Sequence, residues 1–136
     1  MTTGIARQAQ VLLHKAEEDA ITLGLAGLPD GPFGFHVQQA IEKLLKALLC
    51  QLQIDYRFTH DLEQLVLLLR SAGIEIPEPL LNLGLIGHYA VAHRYDDIPE
   101  FLVLDRNAAT ATVRQIREFV HARIHALSKS NGSAPV

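Results

Sequence analysis

Tryptophan is absent from this chain, aromatic residues make up only 6% of it, and a single cysteine, Cys50, occurs in 136 residues. One thiol cannot build a disulfide scaffold or any of the multi-cysteine zinc modules, and it agrees with a reducing compartment, so a cytoplasmic location is expected. No apolar run approaches the roughly 20 residues that a membrane-spanning helix needs. The closest, Leu44 to Leu49 and Leu65 to Leu69, are short and are interrupted or bounded by Lys46 and Arg70. Residues 1–20 set Arg7, His14, Lys15 and Glu17-Glu18-Asp19 among the apolar positions, so no secretory signal core is expected either. Proline and glycine are few and clustered, which argues against a β-sandwich with its frequent turns. With a net charge of −3, the chain lacks the strong positive excess of a protein that coats nucleic acid.

What is there is aliphatic. Hydrophobic residues reach 49%, mostly leucine, alanine and isoleucine, against 20% charged, so wholesale disorder is excluded. The length suits one domain that buries about two-thirds of its unfolded surface without a metal or disulfide staple. Five segments carry helical periodicity. In the first, Ile5, Ala9, Leu12, Ala16, Ala20 and Leu23 form a stripe, ended by Gly27-Leu28-Pro29-Asp30-Gly31-Pro32. The second runs from about Phe33 to Gln53. It places Ala40, Ile41, Leu44, Leu45, Leu48 and Leu52 inward, and His36, Gln39, Lys43 and Lys46 on the other side.

A third helix is expected to be capped by Thr59, with Asp61 and Glu63 in its first turn. Its apolar face is Leu62, Leu65, Leu68 and Leu69, and Gly73 stops it. A weaker fourth covers about Leu80 to Tyr95 and contains Gly84 and Gly87, each costing about 1 kcal/mol against alanine. The fifth, about Asp105 to Ser128, carries the stripe Ala109, Val113, Ile116, Val120, Ile124 and Leu127. The expected architecture is an all-α, up-and-down bundle of about five helices over residues 1–128, followed by a disordered tail at 129–136.

One stretch narrows this reading. Phe35-His36-Val37-Gln38-Gln39-Ala40-Ile41-Glu42-Lys43-Leu44-Leu45-Lys46-Ala47-Leu48-Leu49 resembles the F-H-x-Q-Q-A-x-E-K-x-x-K-A-x-L signature of the HEPN domain (higher eukaryotes and prokaryotes nucleotide-binding). Thr59-His60-Asp61-Leu62 is similar to the family's T-H-D-L, and Ala92-His93-Arg94-Tyr95 lies where related chains often carry Arg-Tyr. Ala16-Glu17-Glu18-Asp19 resembles the first helix of such chains. The resemblance implies a helical bundle, often a homodimer. Stand-alone prokaryotic copies are commonly encoded beside a minimal nucleotidyltransferase, with which they form a two-component or toxin–antitoxin pair. This chain lacks the Gly-Ser and paired aspartates of that transferase. The family also implies a nucleotide ligand, or RNA in a ribonuclease branch that uses an Arg-x4–6-His motif.

An arginine can stabilise a phosphorane while a histidine moves the 2′-hydroxyl proton, so that motif is chemically adequate. Arg7 to His14 and Arg114 to His121 match its spacing, which eight arginines and seven histidines produce about once by chance. In the toxin branch the motif reads Arg-x4-His-x-Tyr. His93 and Tyr95 supply the second half, but His88 stands in the arginine's place and offers neither a permanent charge nor a bidentate fork. His93, Arg114 and His121 are therefore only weak catalytic candidates, and a non-catalytic protein is the leading expectation. By the same resemblance Tyr95 is a candidate for nucleotidylation by a partner.

The ligand-binding candidates are His36, Gln39, Lys43 and Lys46, whose three- and four-residue steps put them on one strip of the second helix. Two ammonium groups suit phosphates, and the amide and imidazole suit a base or ribose. The alternative is that Glu42 and Lys46 form an ordinary i,i+4 pair on a solvated face, with His36 and Gln38 bracing neighbouring helices. His60 and Asp61 read as helix-start residues, and Cys50 as a small buried hydrophobe. His121 and His125 are spaced to chelate, but there is no HExxH and no third ligand, so no metal is expected. No cofactor is implied. Gly27-x3-Gly31-x2-Gly34 lacks the Gly-Lys-Ser/Thr of a phosphate loop and reads as a turn.

The mild total charge conceals a gradient. Residues 1–54 carry four basic and five acidic groups, 55–100 three and eight, and 101–136 five and two. An acidic middle and a basic last helix suit a charged protein partner or a phosphate-bearing ligand.

Overall fold

The computed structural model describes residues 4–56, 59–78 and 105–132. This part is all-α, with four helices and no strand among the described residues. α1 spans Arg7–Thr22, α2 Asp30–Gln51, α3 Leu62–Ser71 and α4 Arg106–Gly132. The segment expected to be helical from Leu80 to Tyr95, with His88, His93 and Tyr95, lies outside the described residues. No described helix is long and apolar enough to cross a membrane.

α2 is the centre of the bundle. α1 packs along it most extensively, and α4 and α3 cover further faces. Of residues 40–49, all but Lys43 are buried. This corrects the division of α2 into an apolar inner half and a solvated polar half. A helix with one neighbour needs an apolar stripe about 100° wide, but one enclosed by three buries most of its circumference. Glu42 and Lys46 are enclosed with it, at 6% and 9% exposure. The core is aliphatic apart from Phe33, and Ile41, Leu45, Leu48, Leu65, Ile116 and Ile124 lose essentially all contact with water. Each such side chain contributes about 1.5–3 kcal/mol.

The helix ends show how local chemistry sets the boundaries. α2 begins at Asp30, not Phe33, with Gly31 and Pro32 inside its first turn. The first N–H groups of a helix have no intrahelical acceptor, so a proline there forfeits nothing. Asp61 caps α3 in place of Thr59, its carboxylate accepting from the Glu63 N–H at 2.9 Å. Asp105 does the same for α4, accepting from the Ala108 N–H at 3.0 Å. α3 stops at Gly73, where φ is +82°. There the Gly73 and Ile74 N–H groups donate to the carbonyls of Arg70 and Leu69, while the Ile74 and Leu69 side chains are buried. The same wrap ends α2, but the left-handed position is held by Gln53, φ +61°.

On α3 the buried face is Leu62, Leu65, Val66 and Leu69, with Leu68 only half-buried. The α4 stripe from Ala109 to Ile124 is buried, and the helix continues to Gly132, past the end expected at Ser128. Polar clamps tie the helices together. The Gln51 amide accepts from the Ala6 N–H at 2.8 Å and donates to the Gly4 carbonyl at 3.0 Å, holding the start of α1 against the end of α2. Arg106 pairs with Asp30 and lies 4.7 Å over the Phe33 ring. Arg117 Nε donates to Glu17 at 2.6 Å, joining α4 to α1.

Candidate ligand-binding face of the central helix

The strip His36–Gln39–Lys43–Lys46 is placed on α2 as its spacing requires, but it is not a row of free cations. His36 and Lys43 converge on Asp19 of α1. The Asp19 carboxylate, 6% exposed, accepts from His36 Nδ1 at 2.8 Å through one oxygen and from Lys43 Nζ at 2.6 Å through the other. A carboxylate can only accept, so the imidazole must carry its proton on Nδ1. The Phe35 ring stands edge-on to His36, with centroids 5.4 Å apart. Sequence reasoning gave Asp19 no role. Its signal was nevertheless present, since Ala16, Asp19 and Leu23 follow helical spacing and place a carboxylate within the apolar stripe of α1.

Lys46 turns to a second carboxylate. Its ammonium donates to Glu42 at 3.1 Å, and His60 Nδ1 lies 3.2 Å from the same Glu42 oxygen and 3.4 Å from Lys46 Nζ. Tyr56 lies beneath the ammonium at 5.8 Å. The i,i+4 pair seen in the sequence is therefore real but buried, and His60, itself largely exposed, covers it. The pair lies within α2, and the His60 and Tyr56 contacts link it to the segment leading into α3.

Two amides lie between these clusters, both half-buried. Gln38 Oε1 is enclosed without a hydrogen-bond partner, the only such buried side-chain atom among the described residues. His36, its side chain 28% exposed, makes its hydrogen bond to Asp19 through Nδ1.

The other candidates are scattered. On α4 Arg114 is exposed and His121 partly so, two turns apart and so about 10 Å along its axis. Arg117 lies between them, committed to Glu17. Partial burial and the Arg117 charge hold the His121 imidazole below its usual range, with Glu17 opposing. His125 is exposed, and among the described residues no three His, Cys, Asp or Glu side chains gather where a metal ion could sit. His93 and Tyr95 lie outside the described residues. Cys50 is half-buried rather than buried, and burial pushes its thiol up.

The sequence model of the HEPN domain matches residues 32–127, from the start of α2 to the last buried turns of α4. This chain belongs to the HEPN domain family. No curated protein and no solved structure matched it. The family match begins within the first turn of α2, so Asp19, which holds two of the strip's side chains, lies on the one described helix outside it.

Proposed function

We propose that this HEPN protein is a non-catalytic binding subunit that takes a nucleotide on the polar strip of α2, a nucleotidyltransferase partner, or both. It would act as a homodimer in the cytoplasm, as one half of a two-component, toxin–antitoxin-like pair. The observation that carries this reading is the strip itself. Its charged groups are locked by Asp19 and Glu42, and the half-buried His36 ring is held through Nδ1, which leaves its Nε2 edge uncommitted to Asp19. Rigid polar groups on a packed helix are what a small ligand needs, because they lose little entropy on binding. The dipolar charge distribution supports a charged partner.

Among the described residues, Arg114 and His121 do not approach each other, and no observation favours RNA cleavage over binding. Tyr95 remains a proposed acceptor for nucleotidylation. The test is calorimetry of the full chain with ATP and GTP, together with co-purification of the nucleotidyltransferase from the neighbouring reading frame. Binding by either route supports the proposal. The absence of both a nucleotide heat and a complex overturns it.

A further inference from the structure

By residue type the two ammonium groups of the strip suit phosphate and its imidazole and amide suit a base or ribose, but the charges do not support the first of these uses. Lys43 is paired with Asp19 at 2.6 Å and Lys46 with Glu42 at 3.1 Å, so neither ammonium is an unpaired cation for an anion to meet. What it does present is directional. His36 Nδ1 is committed to the buried Asp19 carboxylate, so the uncharged tautomer that keeps this bond carries its lone pair on Nε2, on a side chain 28% exposed. Gln39 follows one helical turn later, half-buried on the same side.

We infer that this site recognises the nucleoside portion of a nucleotide through His36 Nε2, which accepts a hydrogen bond from a neutral donor, either a ribose hydroxyl or a base amine. Asp19 is the positioning residue that fixes the tautomer. The inference rests on the nucleotide reading above and deepens it, because it assigns the contact to the nucleoside and not to phosphate.

Lys43 makes the role of Asp19 testable. In Asp19→Asn, the lysine can only donate, so it claims the amide oxygen and turns the amide nitrogen toward His36. The Nδ1 atom must then accept, and the proton moves to Nε2. An acceptor becomes a donor, facing the ligand's own donor, with little change in shape. Long-range 1H–15N spectra of the full chain at pH 8, with His36 assigned through His36→Phe, should show the Nδ1–H form in the wild type and the Nε2–H form in Asp19→Asn. An Nε2–H wild type, or a tautomer indifferent to the substitution, overturns the inference.

Calorimetry with ATP, GTP, their nucleosides and inorganic tripolyphosphate supplies the second arm. The nucleoside of whichever nucleotide binds should keep most of its affinity, and tripolyphosphate should not compete. Asp19→Asn and His36→Phe should each weaken binding about tenfold, a cost expected for an unmatched polar contact. His36→Phe leaves the Asp19–Lys43 pair intact, so it reports even if Asp19→Asn folds poorly. Deoxy analogues that lose the same factor identify the hydroxyl, and analogues lacking the exocyclic amine identify the amine. Binding displaced by tripolyphosphate, or unchanged in both variants, overturns this inference alone. No nucleotide binding at all overturns the nucleotide reading and the inference with it.

Discussion

The Glu42–Lys46 pair separates a buried electrostatic contact from a surface one, and a double-mutant cycle reads the difference. At 3.1 Å and an effective dielectric of about 20, the gross attraction is about 5 kcal/mol. Desolvating each ion costs several kcal/mol, so the pair as a whole contributes little net stability. Removing one partner leaves the other ion enclosed with its cost and without its compensation. Glu42→Leu should therefore destabilise by about 3 kcal/mol, and Lys46→Met by somewhat less, because His60 stays 3.2 Å from the remaining carboxylate. The double variant should return to within about 1 kcal/mol of the wild type, since methionine and leucine fill the same enclosed volume without charge. Urea unfolding followed by far-ultraviolet circular dichroism suits an all-helical chain that has no tryptophan. A 3 kcal/mol loss should lower Tm by about 10 °C in a domain of this size. Single variants that each cost under about 0.5 kcal/mol, the value of an exposed i,i+4 pair, would refute the reasoning.

Three further outcomes follow from local features. Gln53 holds a left-handed conformation at the end of α2, so Gln53→Gly should stabilise by about 1 kcal/mol in the same urea experiment, whereas a loss of stability would show that its side chain matters more than its backbone. The His121 imidazole is held below its usual pKa of about 6.5, so the folded state resists its protonation. Its contribution is whole above that value and is lost as pH falls through the lowered one. Between pH 7.5 and 5 the wild type should lose more stability than His121→Gln, and parallel pH profiles would count against the assignment. Burial raises the Cys50 thiol, so iodoacetamide at pH 8 should alkylate the native chain at least several-fold more slowly than the urea-unfolded chain; equal rates, followed by mass spectrometry, would place the thiol in solvent.

Much of the bundle was legible because burial on one side leaves a periodic trace. The α4 stripe Ala109, Val113, Ile116, Val120 and Ile124 is buried as its three- and four-residue spacing requires. The left-handed glycine at 73 ends α3 because few other residues accept that conformation cheaply. The signature on α2 was equally legible and identified the family, since it lies in consecutive turns of one helix. Boundaries were less so. Asp61 rather than Thr59 caps α3, since two good capping residues stand two positions apart and residue type alone does not choose between them.

What the sequence determined by itself, then, is which residues face a core, which helices they build and which family they mark. These are properties of period and composition along a single helix. The tertiary structure alone decided the state of the polar side chains. Lys43 looks free on a helical wheel until α1 brings Asp19 within 2.6 Å, and Glu42 and Lys46 look solvated until the approach to α3 covers them. Charge compensation and desolvation depend on distances between elements, and no spacing within one helix records them. His36 and Lys43 both turn to one carboxylate, which lies 17 residues from His36 along the chain and meets it only in the fold.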